Sequence, residues 1–548
     1  MKAAGADGAR LREDYERELR YLRNAGATFA REHPEVAARL ELSSEGSADP
    51  HVERLLEGFA FLAARLHRTF DESTSSLAAT LLEQLFPHAA RPLPSSSIVH
   101  VDPDTAKIDL GTGYDLARGG AMFVDTADGT TIRFQSRFPL TLWPLRVARS
   151  ALLTERLDDL SRHPDKRSVL SLRLAFPLTF DPAAANLGRL RFHVKGSNDA
   201  AARLCDLLYA HTLEVRWRDA AGRGGVLDSL PRFVGLDAEE ALLPEHDDTH
   251  PGLRLLLEYF SCPAKFQFFE LDCAQLGRHA GVPPGPWSGP RCELLFVLGA
   301  RPIETLELEP DALMLGCTPV LNLFPRTSEP VRVDGTRSQY KLVADVHRER
   351  ATEIYSIEEV AAIVPGERAA TLPRFFGAHG TNRTARQVYW HARRGPAFKA
   401  ALGGTDMRLL LVDPACDPAV PATRTLVARL LCTNRGLAET LPAGTRLDTE
   451  DAGAIGAIRL LHAPSRQSLA RPDGAARWQL VSQLSLNHLS LADGPEGLLR
   501  LKELLALNNL GGSVVADRQI GALAALRCRR VTRHVGGDPG TATGAAMR

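Results

Sequence analysis

Apolar residues in the first ninety positions recur at helical spacing. Leu11, Tyr15, Leu19, Leu22, Gly26 and Phe29 are separated mostly by steps of three and four, which places them on one stripe of an amphipathic helix with charges on its other faces. His33-Pro34 marks the break, because the residue before proline is pushed out of the helical region. Asp49-Pro50 announces a second helix, a capping carboxylate followed by proline at the first helical position, where no amide donor is missed. Val52, Leu55, Leu56, Phe59, Leu62 and Leu66 are expected on its buried face. A third helix from Leu77 to Phe86 stacks Leu77, Leu81, Leu82 and Leu85 and stops at Pro87. Three short, strongly striped helices make a bundle, alone or with helices of a partner.

From Arg91 the texture changes. RPLPSSS is a connector rich in proline and serine, and the runs after it alternate apolar with polar residues between Gly and Pro punctuation. SSIVHVDPD, IRFQSRFPLTLWPLRVARSAL, LSLRLAFPLTF, LRFHVKG, Cys292–Leu298, 331–333 and 407–412 read as strands. Helices interrupt them near 200–208, 251–260 and 495–507, where leucines share a face. The expected class is therefore α+β: a helical region over 1–92, strand-rich segments over 93–345 and 346–530, and a small, polar, glycine-rich tail over 531–548 that composition predicts to be disordered. No fixed-period repeat points to a solenoid or propeller.

Composition narrows the class further. A 44% hydrophobic and 24% charged chain matches ordinary globular proteins, and 548 residues suffice for several cores. Its 66 basic residues are balanced by 66 acidic ones, so no net field steers it toward nucleic acid or anionic lipid. The N-terminus lacks the apolar core of a signal peptide, and the longest apolar runs fall short of a membrane span. Eight cysteines lie singly, without a C-x-x-C pair, as expected of reduced thiols in a cytoplasmic protein.

Candidate chemistry is sparse. No phosphate-loop pattern occurs; Gly111-Thr112-Gly113 lacks the third glycine of a dinucleotide site and reads as a turn. His246-Asp247-Asp248-Thr249-His250 is the one dense set of metal-ligand types, with a solvated acidic turn as the plainer reading. His488 sits in apolar alternation, as a hydrogen-bonded structural histidine does. Glu239-Glu240 and Glu358-Glu359 are adjacent and so point in different directions on a regular element. Arg386 to Arg394, RQVYWHARR, combines base and aromatic, but Tyr389 and Trp390 read as core or interface anchors. No catalytic, cofactor-binding or metal-binding residue is assigned. The alternatives kept open are a metal-dependent hydrolase using the 246–250 loop and an RNA-binding protein using 386–394.

Three consecutive segments, YERELRYLRNAGATFAREHPEVAARL, DPHVERLLEGFAFLAARL and LLEQLFPHAARPLPS, resemble the N-terminal signature of the TssF family of type VI secretion baseplate proteins. The likeness continues through LWPLRV, GLRLLLEYFSCPAKFQFFEL, CTPVLNLF, VYWHARR, GTDMRLLLVD, CTNRGL and WQLVSQLSLNHLSL, from about Tyr15 to Arg530. It implies a non-enzymatic structural subunit without cofactor, in which two TssF copies embrace one TssG and work with TssK and TssE. Together they form wedges on which the contractile tube and sheath assemble, with further association between TssF copies. The implied place is cytoplasmic, in an assembly docked at the inner membrane, with neither nucleic acid nor membrane insertion. Against the family pattern, the glycine-rich tail predicts an early C-terminal end and an incomplete last domain. Tyr15, Leu19, Leu22, Phe29, Leu55, Phe59 and Leu62 are the candidate interface residues, contributing either to the internal core or to a bundle shared with TssG.

Overall fold

The computed structural model describes the chain except for residues 1, 40–41, 44–45, 48, 110, 178, 181–184, 186, 221, 246–250, 275, 277–290, 302–307, 335–336, 364–367, 376–387, 398, 400–402, 413–423, 452, 469–473, 485–494, 535–540 and 548. Helices α1 (Lys2–Glu32), α2 (Pro34–Arg39), α3 (Pro50–Leu85) and α4 (Pro87–Ala90) form the N-terminal region. Later come α5 (Asn198–His211), α6 (Pro251–Ser261), α7 (Gly474–Leu484), α8 (Pro495–Asn508) and α9 (Val514–Ala522), set among antiparallel sheets. The class is α+β, as the patterning predicts.

Asp49 caps α3 as expected: its Oδ1 accepts the His51 amide at 2.8 Å, and Pro50 occupies the first turn. The second and third helices of the sequence reading are one. α3 runs unbroken from 50 to 85, because Asp71-Glu72-Ser73-Thr74-Ser75-Ser76 contains weak helix formers but neither proline nor glycine. Once the flanking turns are folded, propagation through six mediocre residues costs less than a second nucleation.

Three bodies of sheet follow. A closed barrel runs in the order Cys317–Leu321, Ser96–Pro103, Ile455–Leu460, Arg446–Thr449, Ala121–Asp125 and Thr131–Ser136. It takes strands from both sides of residue 345 and is filled by Val99, Val101, Met122, Phe134, Val320 and Ile458. Gly316, just before one barrel strand, has φ +70°, and a β-carbon there would lie 2.7 Å from the Val101 carbonyl oxygen, so only glycine fits without a shift.

A five-stranded sheet, ordered Gly224–Leu227, Thr212–Asp219, Arg291–Leu298, Ser168–Ala175 and Arg146–Leu153, shares one core with α5 and a four-stranded sheet. That smaller sheet is ordered Arg232–Phe233, Phe268–Asp272, Arg189–Val194 and Leu313–Met314. Phe192 stacks on Phe269 at 5.0 Å, and Phe269 meets Phe296 edge-on at 5.8 Å, which ties the two sheets together. A third core lies between the sheet built on Glu353–Ile363 and Arg424–Thr433 and the sheet Tyr340–Leu342, Thr405–Val412, Tyr389–Pro396.

A buried amide network joins the barrel to this third body. Asn434 Nδ2 donates to the carbonyls of Thr131 and Ala351, each at 3.1 Å, while its Oδ1 accepts from the Arg133 amide at 2.9 Å and from Asn322 Nδ2 at 2.8 Å. Beside it, Arg435 holds φ 54°, a conformation costly outside glycine, and its buried guanidinium donates to the carbonyls of Glu349, Thr352 and Gly403. At the C-terminus, Cys528–His534 and Thr541–Met547 pair antiparallel, where composition predicts disorder.

Candidate partner interface

α1 and α3 lie against each other, and the side chains that join them fix which face of α3 is covered. Arg23 pairs with Glu53, and His67 Nδ1 lies 3.2 Å from Glu18 Oε1. Glu53, Ala60, Ala64 and His67 fall on one face of α3 at 3.6 residues per turn, and Ala60 and Ala64 are fully buried. Two small side chains in the middle of this face let α1 approach closely. Leu19 is the buried contribution of α1, whereas Tyr15 and Leu22 are half-buried and Phe29 is exposed beside His33.

The opposite face of α3 carries large apolar side chains that are exposed among the described residues. Leu55 is 73% exposed, Phe59 60% and Leu62 62%, and Leu66, Phe70 and Leu77 continue the row. The expectation that Leu55, Phe59, Leu62 and Leu66 line an internal core is overturned. α1 occupies the alanine face instead, and one helix cannot cover both sides of another. Steps of four, three and four through Leu55, Phe59, Leu62 and Leu66 are those of a coiled-coil seam, and the row to Leu77 is about 33 Å long at 1.5 Å per residue. A helix apolar on two opposite faces gains from having both covered.

The far end of α3 is anchored. Ala78, Leu82 and Phe86 are buried, and Leu82 and Phe86 share a core with Leu257, Tyr355, Leu480 and Leu510. Arg91 beyond it bonds Glu83 at 3.0 Å and lies over the Tyr355 ring at 5.5 Å. The helix therefore projects from a fixed root and presents its N-terminal half outward.

Among the described residues, nothing assembles a reaction centre. No group of three or more His, Cys, Asp and Glu is placed to hold a metal ion. The 246–250 loop and His488 lie outside the described residues, as do Arg386 and Gln387. Tyr389 and Trp390 are buried, Trp390 Nε1 donates to the Leu372 carbonyl at 3.0 Å, and Arg394 is spent on the carbonyls of Ile354 and Tyr355, so neither ring offers a stacking surface. Glu239 is exposed, while Glu240 is buried and accepts the Gly235 amide at 2.5 Å. Among the described residues six cysteines are free and buried; burial raises their thiols, Cys205 and Cys432 to about 12, which leaves them protonated and unreactive. Burial also lowers His193 to about 3, assisted by the neighbouring His462. No described helix is long and apolar enough to cross a membrane.

The sequence profile of a family described as "Type VI secretion system, TssF" matches residues 8–548. The type VI secretion system component TssF1 of Pseudomonas aeruginosa (strain PAO1) is 32% identical over 553 residues, covering 96% of this chain and 88% of that protein. A TssK-TssF-TssG baseplate subcomplex solved by cryo-electron microscopy contains a chain of similar fold, with TM-score 0.70 and 25% identity over 90% of this chain and 88% of that one. A chain of a type VI baseplate complex shares the fold at TM-score 0.56 and 23% identity, covering 96% and 88%.

Proposed function

Because this chain belongs to the TssF family of the type VI secretion system, we propose that it is a structural, non-enzymatic subunit of that system's baseplate, held in place by the apolar outer face of α3. The single observation that carries the docking role is the exposed row Leu55, Phe59, Leu62 and Leu66 opposite the face that α1 covers. Its spacing fits a partner helix laid along it, and the related chain solved with TssG and TssK supplies the partner class. On this reading Leu55, Phe59 and Leu62 contact a TssG-type helix directly. Tyr15, Leu19, Leu22 and Phe29 brace α1 against α3 and shape the rim.

The fuller arrangement follows from the family: two copies of this chain on one TssG, with TssK and TssE in the same wedge, assembled in the cytoplasm against the inner membrane. Large, apolar-centred interfaces are the rule for such permanent assemblies, commonly above about 2,000 Å². Co-expression of the chain with TssG- and TssK-type partners, followed by mass measurement of the purified complex, tests this. A stable complex with two copies of this chain per TssG is expected. A monomer recovered alone, with both partners in the flow-through, overturns the proposal.

A further inference from the structure

Arg118 and Arg137 stand side by side at the rim of the barrel. One precedes strand Ala121–Asp125 and the other follows Thr131–Ser136. They are held together by the Gly119 amide on the Ser136 carbonyl at 2.8 Å and the Ser136 amide on the Gly120 carbonyl at 3.0 Å. α6 and the segment before it face this rim: Arg118 Nη2 donates to the Ala241 carbonyl at 3.0 Å, and Arg254 of α6 adds a third guanidinium close enough to act on Arg137.

Arg137 is only 7% exposed, yet its guanidinium makes no hydrogen bond or ion pair among the described residues. Its Nε is sealed from water without a partner, whereas Nη1 and Nη2 are not sealed and keep the access that remains. Arg254 is as deeply buried, and its Nε likewise has no hydrogen-bond acceptor. Burial, with Arg118 and Arg254 adding to it against partial help from Glu258, pulls the Arg137 guanidinium down to about 10. The carboxylates nearby are already committed. Glu258 Oε1 accepts the amides of Leu242 and Leu243 at 3.0 and 2.9 Å, its Oε2 holds Lys265, and Glu245 lies 3.4 Å from Arg254. Four cations, Arg118, Arg137, Arg254 and Lys265, therefore face two carboxylates, Glu245 and Glu258, and two positive charges are left over.

A guanidinium taken out of water without a counter-ion is destabilising, and the same low dielectric strengthens its attraction for an anion placed beside it. The narrow access at Arg137 leaves room for an ion rather than a stretch of chain. A phosphate group carries about −1.5 to −2 at pH 7, which matches the surplus, and guanidinium donors suit its oxygens. We propose that Arg118, Arg137 and Arg254 form a binding site for one phosphate-class oxyanion, which bridges the barrel to α6. Leu257 of α6 shares a core with Leu82 and Phe86, so the ion also braces the root from which α3 projects. The site stands apart from the exposed row of α3 and does not rest on the baseplate reading.

The test titrates inorganic phosphate into the full chain, purified in phosphate-free chloride buffer at pH 7 and constant ionic strength, and follows it by calorimetry. One saturable site per chain is expected, with a dissociation constant below about 1 mM. Arg137→Met should weaken it at least about tenfold, by removing the central charge. Exposed Arg149, on another strand, serves as the control, and Arg149→Met should leave binding unchanged. Urea denaturation supplies a second readout. Without phosphate the Arg137→Met midpoint should be no lower than that of the unsubstituted chain, since an unpaired buried charge is gone; with phosphate only the unsubstituted midpoint should rise. Should Arg137→Met not fold, Arg118→Met at the half-buried neighbour carries the same comparison. No saturable binding to the unsubstituted chain, equal binding of acetate, or affinity indifferent to both substitutions overturns the site.

Discussion

Phe59→Ala removes the central side chain of the exposed row on α3, and its expected cost can be worked from the surface it leaves open. An aromatic side chain carries about 200 Å². With Phe59 60% exposed, about 120 Å² awaits cover, worth about 3 kcal/mol at ~25 cal/mol per Å² if a partner buries it. Leu55 and Leu62, similarly open, add about 1–2 kcal/mol each. The truncation should therefore weaken a TssG-type partner by roughly 100-fold, since each 1.4 kcal/mol is a factor of about ten. The free chain should be indifferent, its unfolding free energy moving by no more than about 0.5 kcal/mol, because the ring faces water there. Titration calorimetry of the variant with a TssG-type partner, beside urea denaturation of the variant alone, separates the two quantities. An affinity within about twofold of the unsubstituted chain would refute the reasoning. Leu19→Asp is a poorer probe, because Leu19 is buried and its loss confounds binding with folding.

Three further outcomes concern the interior. Asn434→Ala strips partners from the Arg133 amide, Asn322 and two carbonyls, and should cost about 3 kcal/mol in urea denaturation. Glu258→Ala leaves fully buried Lys265 without its carboxylate and the amides of Leu242 and Leu243, now bonded at 3.0 and 2.9 Å, without an acceptor; a loss of about 3–5 kcal/mol is expected. Acid should destabilise the protein well above the carboxylate range. Burial holds His193 at about 3, so its contribution is complete above the unfolded value near 6.5 and is lost as pH falls toward 3, about 2 kcal/mol by pH 5. His100, His391 and His462 are lowered for the same reason and act in the same direction. His193→Gln should flatten the urea midpoint between pH 8 and 5; an unchanged slope contradicts the assignment.

Local signals were legible where the physics is local. Asp49-Pro50 fixes the start of α3, and the alternating runs locate the strands at Ser96–Pro103, Ser168–Ala175 and Arg291–Leu298. Which apolar face turns inward was not. α3 is apolar on two sides, and only the position of α1, set by Arg23–Glu53 and Glu18–His67, decides that the alanine face is covered and the Leu55–Phe59–Leu62 face is not. The barrel was equally hidden, since Ser96–Pro103 pairs with Ile455–Leu460 across more than three hundred residues and no local pattern encodes that register. Asn434 and Arg435 sit in CTNRGL, a string whose composition suggests a loop. Their role as a buried joint depends on carbonyls supplied from 131, 349, 351, 352 and 403.

The central claim is that the outer face of α3 exists to be covered by another subunit. Hydroxyl-radical footprinting read by mass spectrometry, on the chain alone and in complex with TssG- and TssK-type partners, measures that directly. Leu55, Phe59, Leu62 and Leu66 should oxidise readily in the free chain and be protected at least fivefold in the complex, while exposed Val226 and Leu230, on and beside a distant edge strand, stay unchanged. Equal oxidation of the α3 row in both states would contradict the account.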